Sequence, residues 1–443
     1  MLLSLTRRRP TGMTAFLVVW LGQMVSVLAS SMSHFGLTIW MYQRTESATA
    51  LGLMQVAFIT PFLALSPIAG VMVDRHNRKL MMMVSDVTAV IATGGVFALL
   101  VWGRLEFWHL YIAAVLNGLG NTFQWPAYSA AITTMVPKAH YSRANGLMSL
   151  LEAGPGVVAP MLAGALLPVI GLVGILLLDF LTFFLAIAAL LVVVVPQPVP
   201  SQAGMEARGS LWHEAAYGFR YIWQRPSLLG LQMVFFFGNL FFGMAYTLLP
   251  PMVLARTSHN SVIFGLVQST GAVGAVVGGV LMSLWGGFRR RVHGVLLGWM
   301  VSALGVIVIG VGRGLFVWLP GAFIAAVAAP LVNASNQAIW QAKVPPDVQG
   351  RVFSARRLIA WFTNPVSPIL AGTLADFVFE PALRRPDGAA MALAPLVGSG
   401  AGAGMGLLIV VCGLLGLAVP IIAYLLPAIR HVEMILPDHD DRR

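Results

Sequence analysis

Long apolar runs separated by short polar turns make up most of this chain. Twelve runs reach or exceed about 20 residues, the length that crosses a lipid bilayer as a helix. Each run is predicted to be helical, because lipid offers backbone amides no hydrogen-bond partner. The predicted spans are 13–42, 50–73, 80–103, 108–135, 144–168, 171–195, 228–255, 261–285, 292–312, 315–342, 352–379 and 404–428. The pattern predicts an all-α membrane protein with twelve transmembrane helices.

The second half of the chain partly repeats the first. Residues 136–166 recur 208 positions later without a gap, and Pro160-Met-Leu-Ala-Gly-Ala-Leu166 is matched there by Pro368-Ile-Leu-Ala-Gly-Thr-Leu374. Tandem halves of membrane helices are the architecture of secondary transporters, whose substrate site lies between the repeats. We therefore predict two pseudo-symmetric six-helix bundles.

A polar segment joins the two predicted bundles. The N-terminal bundle covers residues 1–195, the cytoplasmic linker covers 196–225, and the C-terminal bundle with a short tail covers 226–443. Apolar side chains at helical spacing after Leu211, with Trp212 among them, predict an amphipathic helix at the membrane surface within the linker. An ordinary linker with some helix is the alternative.

The positive charges are distributed unevenly about the predicted membrane. The chain is 58% hydrophobic and 10% charged, with a net charge of +11. Of its 27 Lys and Arg residues all but six lie on one side, and the six are Arg44, Arg104, Arg256, Arg313, Arg384 and Arg385. The positive-inside rule makes the richer side the cytoplasm. We predict a multi-pass protein of a bacterial-type cytoplasmic (inner) membrane with both termini cytoplasmic, and no nucleic-acid partner.

The sequence offers no enzymatic signature. Its one cysteine, Cys412, lies in the last predicted span, so an intramolecular disulfide is impossible. It has no Gly-x-x-x-x-Gly-Lys-Ser/Thr nucleotide loop, and no catalytic triad or metal-ligand cluster at usable spacing. We expect a protein that is not an enzyme, uses no cofactor or metal, and draws energy from a gradient. A monomer is the default expectation.

A charged turn follows the second predicted span. It reads Gly70-Val-Met-Val-Asp74-Arg75-His76-Asn77-Arg78-Lys79. A carboxylate at this position can accept hydrogen bonds from Arg78 or face the positive end of another helix, which would hold the two halves together as a latch. The alternative is that the basic residues only mark topology. The predicted latch comprises Gly70, Asp74, Arg75, Arg78 and Lys79.

This turn resembles the signature of the major facilitator superfamily, Gly-x-x-x-Asp-Arg-x-Gly-Arg-Lys/Arg. Asn77 replaces the usual glycine, and asparagine is among the few residues that tolerate a left-handed turn. Residues 34–88 and 121–166, with Gly350-Arg351-Val-Phe-Ser354, are similar to the drug- and siderophore-exporting branch, which includes macrolide efflux pumps and enterobactin exporters. The resemblance implies the twelve-helix fold and transport by alternating access.

Two positions bear on how such a transporter would be coupled. Gly154-Pro155 is similar to the fifth-helix motif of antiporters, although Val158-Ala159 stand where that motif has paired glycines. Asn117 stands where many proton-coupled relatives have a buried arginine. The resemblance therefore implies an antiporter-like fifth helix that departs from the motif at Val158-Ala159, and a fourth helix that departs from proton-coupled relatives at Asn117.

Ionisable residues inside predicted spans are costly and are candidate functional groups. Glu152, Asp179, His34 and Asp86 are the candidates for proton coupling. Each also has a structural explanation. Glu152 or Asp86 can pair with loop arginines such as Arg143, neighbouring hydroxyls can satisfy Asp179, and a lone buried histidine is often structural. Both explanations stay open at the level of sequence.

Uncharged amides are numerous at mid-span. A water-filled substrate cavity between the halves explains them, and hydrogen bonds between helices explain some. The candidate cavity residues are Gln55, Asn117, Asn121, Gln124, Gln232, Asn239, Gln268, Asn333, Asn336, Gln337 and Asn364. Arg356 and Arg357 follow one turn into the eleventh span, where either can extend to the interface or face Asp74.

The sequence as a whole favours a secondary active transporter. The leading function is proton-coupled efflux of an amphipathic small molecule, such as a drug, siderophore or secondary metabolite, by alternating access. An importer of a small metabolite and a lipid flippase have the same fold. A non-transporting membrane sensor or partner protein is the alternative from another class.

Overall fold

The prediction of an all-α membrane protein is confirmed. A computed structural model describes residues 10–75, 77–136, 141–195, 218–344, 349–384 and 392–436. Within these ranges the regular structure is helical and no strand occurs. Ten helical segments of the described chain are long and apolar enough to cross a membrane.

The helices of the first half follow the predicted spans. They are α1 (Gly12–Thr45), α2 (Ala48–Arg75), α3 (Arg78–Val101), α4 (Phe107–Met135) and α5 (Tyr141–Val192). The long α5 contains the two predicted spans 144–168 and 171–195, and its helical backbone is interrupted at Gly171, with φ 66° and ψ 178°. A positive φ suits a residue without a Cβ atom, so Gly171 divides α5 where the sequence predicts a turn.

The second half has more breaks than the apolar pattern indicates. Its elements are α6 (Pro226–Arg256), α7 (Ser261–Trp285), α8 (Arg291–Val311), α9 (Leu315–Val327), α10 (Ala329–Lys343), α11 (Gln349–Trp361), α12 (Thr363–Leu374), a π-helix (Ala375–Phe379), α13 (Glu380–Arg384), α14 (Ala394–Val397), α15 (Ala403–Leu425), α16 (Pro427–Arg430) and α17 (Val432–Ile435). The predicted span 315–342 divides between α9 and α10, next to Pro330 in the first turn of α10. Proline has no amide hydrogen, which explains a break in the helical ladder there.

The chain divides into two compact units. Unit 1 comprises Met1–Arg44 and Met54–Ser201, and unit 2 comprises Thr45–Leu53 and Gln202–Arg443. The start of α2 thus belongs to unit 2, although it precedes most of unit 1 in the sequence. Of the linker, residues 218–223 form a short helix, and the predicted surface helix beginning at Leu211 lies largely outside the described residues.

Each unit has its own apolar core. In unit 1, α1, α3, α4 and α5 contribute buried side chains that include Phe16, Met82, Tyr128 and Leu190. In unit 2 the core includes Leu228, Val295, Ile339, Trp340 and Ala423, which come from α6, α8, α10 and α15. Apolar cores of this kind hold the helices in fixed positions, so the polar side chains among them are presented at defined places.

The C-terminal tail is fastened to unit 2. Lys343 Nζ, at the end of α10, donates hydrogen bonds to the carbonyl oxygens of Glu433 and Leu436 at 2.6 and 2.5 Å. The Glu433 carboxylate accepts a hydrogen bond from the backbone amide of Val292 at 3.0 Å, in the first turn of α8. The tail therefore supplies hydrogen-bond acceptors both to the buried ammonium group of Lys343 and to the N-terminus of α8.

Candidate functional site

Asp86 is a buried carboxylate held by two amides in unit 1. Its side chain is 5% exposed. Gln23 Nε2 on α1 donates to Asp86 Oδ2 at 3.1 Å, and Gln124 Nε2 on α4 donates to Asp86 Oδ1 at 3.1 Å. Gln124 Nε2 also donates to Gln23 Oε1 at 2.8 Å. The described hydrogen-bond partners of Asp86 are thus neutral amides, not the loop arginines that the sequence offers.

A polar face of α4 leads to Asp86. Asn117, Asn121 and Gln124 are spaced by four and three residues, which places them on one side of the helix. Asn121 is exposed, whereas Asn117 and Gln124 are half-buried. The candidate cavity residues of this helix therefore share one side, and one of them, Gln124, binds the buried carboxylate of Asp86.

Asp179 is the second buried carboxylate of unit 1, and its partners are hydroxyl groups. It is 1% exposed, and Ser30 Oγ on α1 donates to its Oδ1 at 2.8 Å. The side chains of Ser33 and Thr93 lie beside the same carboxylate. This arrangement matches the structural explanation drawn from the sequence, in which hydroxyls satisfy Asp179.

One face of α1 links the two carboxylates. Gln23, Ser26, Ser30 and Ser33 follow at intervals of three, four and three residues, so they share a side of the helix. Gln23, Ser26 and Ser33 are buried. These residues are not among the candidates predicted from the sequence, although polar side chains at helical spacing within an apolar span were the available signal.

Arg356 is the centre of a polar cluster in unit 2. Its Nη2 donates to Gln337 Oε1 at 2.7 Å, and its backbone carbonyl accepts from Gln232 Nε2 at 3.1 Å. Its guanidinium carbon lies 5.4 Å from the ring centroid of Trp340 and 5.2 Å from that of Phe353. Nη1 has neither accessible surface nor a hydrogen-bond partner among the described residues.

These contacts bear on the orientations that the sequence left open for Arg356 and Arg357. The Arg356 guanidinium lies near two aromatic rings and binds the amide of Gln337, whereas Gln232 binds the backbone carbonyl of Arg356. The adjacent Arg357 is exposed and lies over Trp361 at 5.6 Å, as a side chain that reaches outward does. Of the two arginines, Arg357 therefore takes the outward orientation, and Arg356 packs among side chains of unit 2.

The turn after α2 is only partly described. Gly70, Asp74 and Arg75 belong to the last turns of α2, and their side chains lie outside the described ones. Asn77 has φ −64° and ψ 117°, and its side chain accepts from the amide of Leu80 at 3.3 Å. Asn77 is thus the N-cap of α3, and the expectation of a left-handed residue there was wrong.

The basic pair of the turn packs against the first bundle. Arg78 is buried at the start of α3. Lys79 Nζ donates to the carbonyl oxygens of Val193 at 2.8 Å and Leu191 at 3.3 Å, at the end of α5. A cation at a helix C-terminus binds carbonyl groups that have no partner within the helix. The described role of Lys79 is therefore to fix the end of α5 to α3.

The family profile for the Major Facilitator Superfamily matches residues 19–368. The chain belongs to this superfamily. It is therefore a transporter and not an enzyme, and the resemblance drawn from the charged turn is confirmed for the family.

Several curated relatives of this transporter are efflux proteins. Macrolide efflux protein A of Streptococcus pyogenes is 24% identical over 364 residues, covering 82% of this chain and 89% of the relative. Multidrug efflux pump Tap of Mycolicibacterium fortuitum is 26% identical over 354 residues, covering 75% and 82%. These matches support the predicted branch of drug exporters.

Solved structures support the fold. A bacterial homolog to the human lysosomal transporter Spinster superposes with a TM-score of 0.71 at 17% identity, covering 92% of this chain and 96% of that one. A bacterial homologue of the iron transporter ferroportin superposes with a TM-score of 0.61 at 16% identity, covering 92% and 98%. At such identities the likeness is one of fold.

The remaining candidates for proton coupling fall in different surroundings. Glu152 lies within α5, and its side chain is outside the described ones. Gly154 is half-buried and Pro155 is buried on the same helix. His34 lies on α1 with a solvent-accessible side chain, and it stays a candidate.

The remaining candidate cavity residues divide between helix contacts and open positions. Asn239 donates to the carbonyl oxygen of Ala360 at 3.4 Å, and Asn336 accepts from Trp340 Nε1 at 3.0 Å. These two join helices or fix an aromatic ring, as the alternative explanation expects. Of the others, Gln55 and Gln268 are half-buried, and Asn333 and Asn364 are exposed.

Replacing Lys79 by methionine is expected to lower the thermal stability of this transporter. The change removes a cation from the two carbonyl groups at the end of α5, worth about 1 kcal/mol. Thermal unfolding of the detergent-solubilised protein measures the effect, and Lys79→Arg, which keeps the charge, serves as the control. Equal melting temperatures for Lys79→Met and the parent would contradict this role.

Proposed function

We propose that this transporter exports an amphipathic small molecule of the macrolide type in exchange for protons. The observation that carries the proposal is the match to macrolide efflux protein A over most of both chains. The match to a multidrug efflux pump supports a cargo class broader than one compound. The proton gradient supplies the energy, and the cargo crosses the membrane by alternating access.

Asp86 is the proposed proton-binding group. A carboxylate that gains and loses a proton in each cycle needs partners that tolerate both states. Amides do so, because rotation of Gln23 or Gln124 exchanges a donor for an acceptor facing Asp86. The polar face of α4, which includes Gln124, is the proposed route to this carboxylate. Asp179 has only hydroxyl and apolar surroundings in the described structure and is proposed to be structural.

The cluster around Arg356 is the proposed contact for the cargo in unit 2. Its guanidinium has a hydrogen-bond donor, Nη1, without a protein partner in the described structure, beside the rings of Trp340 and Phe353. Nη1 has no accessible surface in this structure, so the proposal requires that it be uncovered during the transport cycle. A donor next to aromatic faces suits a molecule that is apolar but carries oxygen atoms. The charged turn containing Asp74 is proposed to act as the latch between alternate states.

The proposed location is a bacterial-type cytoplasmic membrane, with both termini in the cytoplasm. The support is the distribution of Lys and Arg residues about the spans. A cytoplasmic C-terminus can be tested by adding a protease to intact cells that express the protein with a C-terminal epitope. The epitope is expected to survive until the cells are opened.

Transport by the purified protein in proteoliposomes tests the proposed function. A radiolabelled 14-membered macrolide is expected to move faster with a pH gradient than without, and empty liposomes supply the background. Transport without any response to the pH gradient would argue against proton exchange. Accumulation of the macrolide in the same direction as the proton flow would indicate an importer. Movement of a fluorescent phospholipid in place of the macrolide would indicate a flippase.

A further inference from the structure

The first turn of α2 is bound by a distant carboxylate. Asp376 accepts hydrogen bonds from the backbone amides of Ala48 at 3.2 Å and Thr49 at 2.9 Å. The Ser47 hydroxyl donates to the same carboxylate at 2.6 Å and accepts from the amide of Ala50 at 3.2 Å. The first amides of a helix have no partner within it. Here one carboxylate and one hydroxyl bind three of them.

Two other helices of the described chain begin with a cap from their own sequence. Asn77 accepts from Leu80 at the start of α3, and Asn260 accepts from Ile263 at 3.0 Å at the start of α7. The cap of α2 comes instead from a residue more than 320 positions away in the sequence. Charge adds to this contact, because a carboxylate is favoured at the positive end of a helix.

Two glycines bring the backbones together beside this cap. A Cβ atom on Gly372 would lie 2.5 Å from Cα of Thr49, and one on Gly52 would lie 2.5 Å from the carbonyl oxygen of Pro368. Both neighbours are backbone atoms, which cannot move aside as a flexible side chain can. The start of α2 and the last turns of α12 therefore touch without intervening side chains, and both belong to unit 2.

The backbone is unusual on both sides of the contact. Glu46, in the turn before α2, has φ 47°, a left-handed conformation that is unfavourable for a residue with a side chain. Asp376 lies in the π-helix Ala375–Phe379, a form that interrupts α-helices frequently at functional sites. Strained backbone persists where surrounding contacts enforce it, and such places are often switch regions.

We propose that Ser47 and Asp376 form a releasable clasp on the start of α2, which parts once in each transport cycle. Both are positioning residues, outside the polar clusters around Asp86 and Arg356. The clasp holds Thr45–Leu53 in unit 2, whereas α2 continues into unit 1, so a transport cycle that rearranges α2 has to act on this contact. The inference rests on the alternating access of the proposed function, and is independent of the cargo and the coupling ion.

Accessibility of a thiol at position 49 tests the clasp. Thr49 Oγ1 has no accessible surface and no hydrogen-bond partner among the described residues, so Thr49→Cys removes no hydrogen bond. The background is Cys412→Ala, which removes the one native thiol. A membrane-impermeant maleimide is expected to label Thr49→Cys slowly. Gln43→Cys, at an exposed position near the end of α1, is the matched control.

Weakening the clasp is expected to raise this labelling. Asp376→Asn loses the charge and one acceptor, so the rate at position 49 should rise about tenfold, in line with hydrogen bonds to a charged group. Asp376→Ala should raise it further, Asp376→Glu should restore slow labelling, and the rate at position 43 should not change. Equal rates with and without Asp376 overturn the proposal.

A cross-link distinguishes a releasable clasp from a permanent joint. In the same background, Ser47→Cys with Asp376→Cys places two thiols where side-chain oxygens lie 2.6 Å apart. Oxidation is expected to stop transport and a reductant to restore it, so the reduced protein is its own control. Transport that continues with the disulfide closed overturns the proposal. Failure to transport macrolide in either state contradicts the proposed function, and the labelling experiment then still decides on the clasp.

Discussion

Replacing Asp86 by asparagine is expected to reduce macrolide transport under a pH gradient to the rate measured without a gradient. Asparagine has nearly the same shape but cannot bind and release a proton. The amides of Gln23 and Gln124 can rotate to present an oxygen to the new amide, so the packing of α1, α3 and α4 is expected to persist. The measurement is the initial rate of transport in proteoliposomes at fixed macrolide concentration, with and without the gradient.

Exchange of labelled for unlabelled macrolide separates loss of coupling from loss of folding. Such exchange needs no net proton movement, so Asp86→Asn should retain it. Asp179→Asn is the matched control, since it neutralises the other buried carboxylate of unit 1, whose described partner Ser30 is a hydroxyl that can also accept. This variant should stay responsive to the gradient. A full response in Asp86→Asn would remove Asp86 as the proton carrier and leave Glu152 as the next candidate to test.

Replacing Arg356 by methionine is expected to weaken transport without weakening the fold. The guanidinium is buried with one side-chain hydrogen bond, to Gln337, and its described partners include no carboxylate. Replacing a buried charge by an apolar side chain of similar volume is often neutral or stabilising. If the cargo accepts a hydrogen bond from this group, the Michaelis constant for macrolide should rise about tenfold, the loss of one charged hydrogen bond.

The neighbouring arginine supplies the comparison for this experiment. Arg357 is exposed and lies over Trp361, so Arg357→Met should leave the Michaelis constant unchanged. Thermal unfolding of both variants shows whether the fold is retained. An unchanged Michaelis constant in Arg356→Met, together with altered stability, would give Arg356 a purely structural role.

The positions of the helices could be predicted from sequence because a bilayer demands long apolar helices. The predicted break between the fifth and sixth spans falls next to Gly171, whose positive φ interrupts α5. The break inside the tenth span, at Ala328, was missed because the apolar run continues across it. Pro330 was the local signal, since it removes an amide from the helical ladder.

The pairing of polar residues could not be predicted in the same way. Asp86 was visible as an ionisable residue in a span, but its partners Gln23 and Gln124 lie on two other helices, and the sequence does not give the rotation of one helix against another. Asn77 shows a different limit. Its short amide suits both a left-handed turn and an N-cap, and only the backbone angles decide between them.

Asp376 was missed although a signal existed. It lies inside the predicted span 352–379, where an acidic residue is costly and therefore informative. Its partners are backbone amides, which leave no mark on the sequence of α2. A contact of this kind becomes visible only when the two helices are placed together.

The fastening of the tail has a consequence for biosynthesis. Lys343 and the amide of Val292 obtain their partners from Glu433 and Leu436, and Glu433 follows Val292 by 141 residues. During synthesis, α8 and α10 thus enter the membrane before the residues that bind the Val292 amide and the Lys343 ammonium group have been made. Messages truncated before codon 433 should yield a product that inserts into the membrane but is cleared by quality-control proteases.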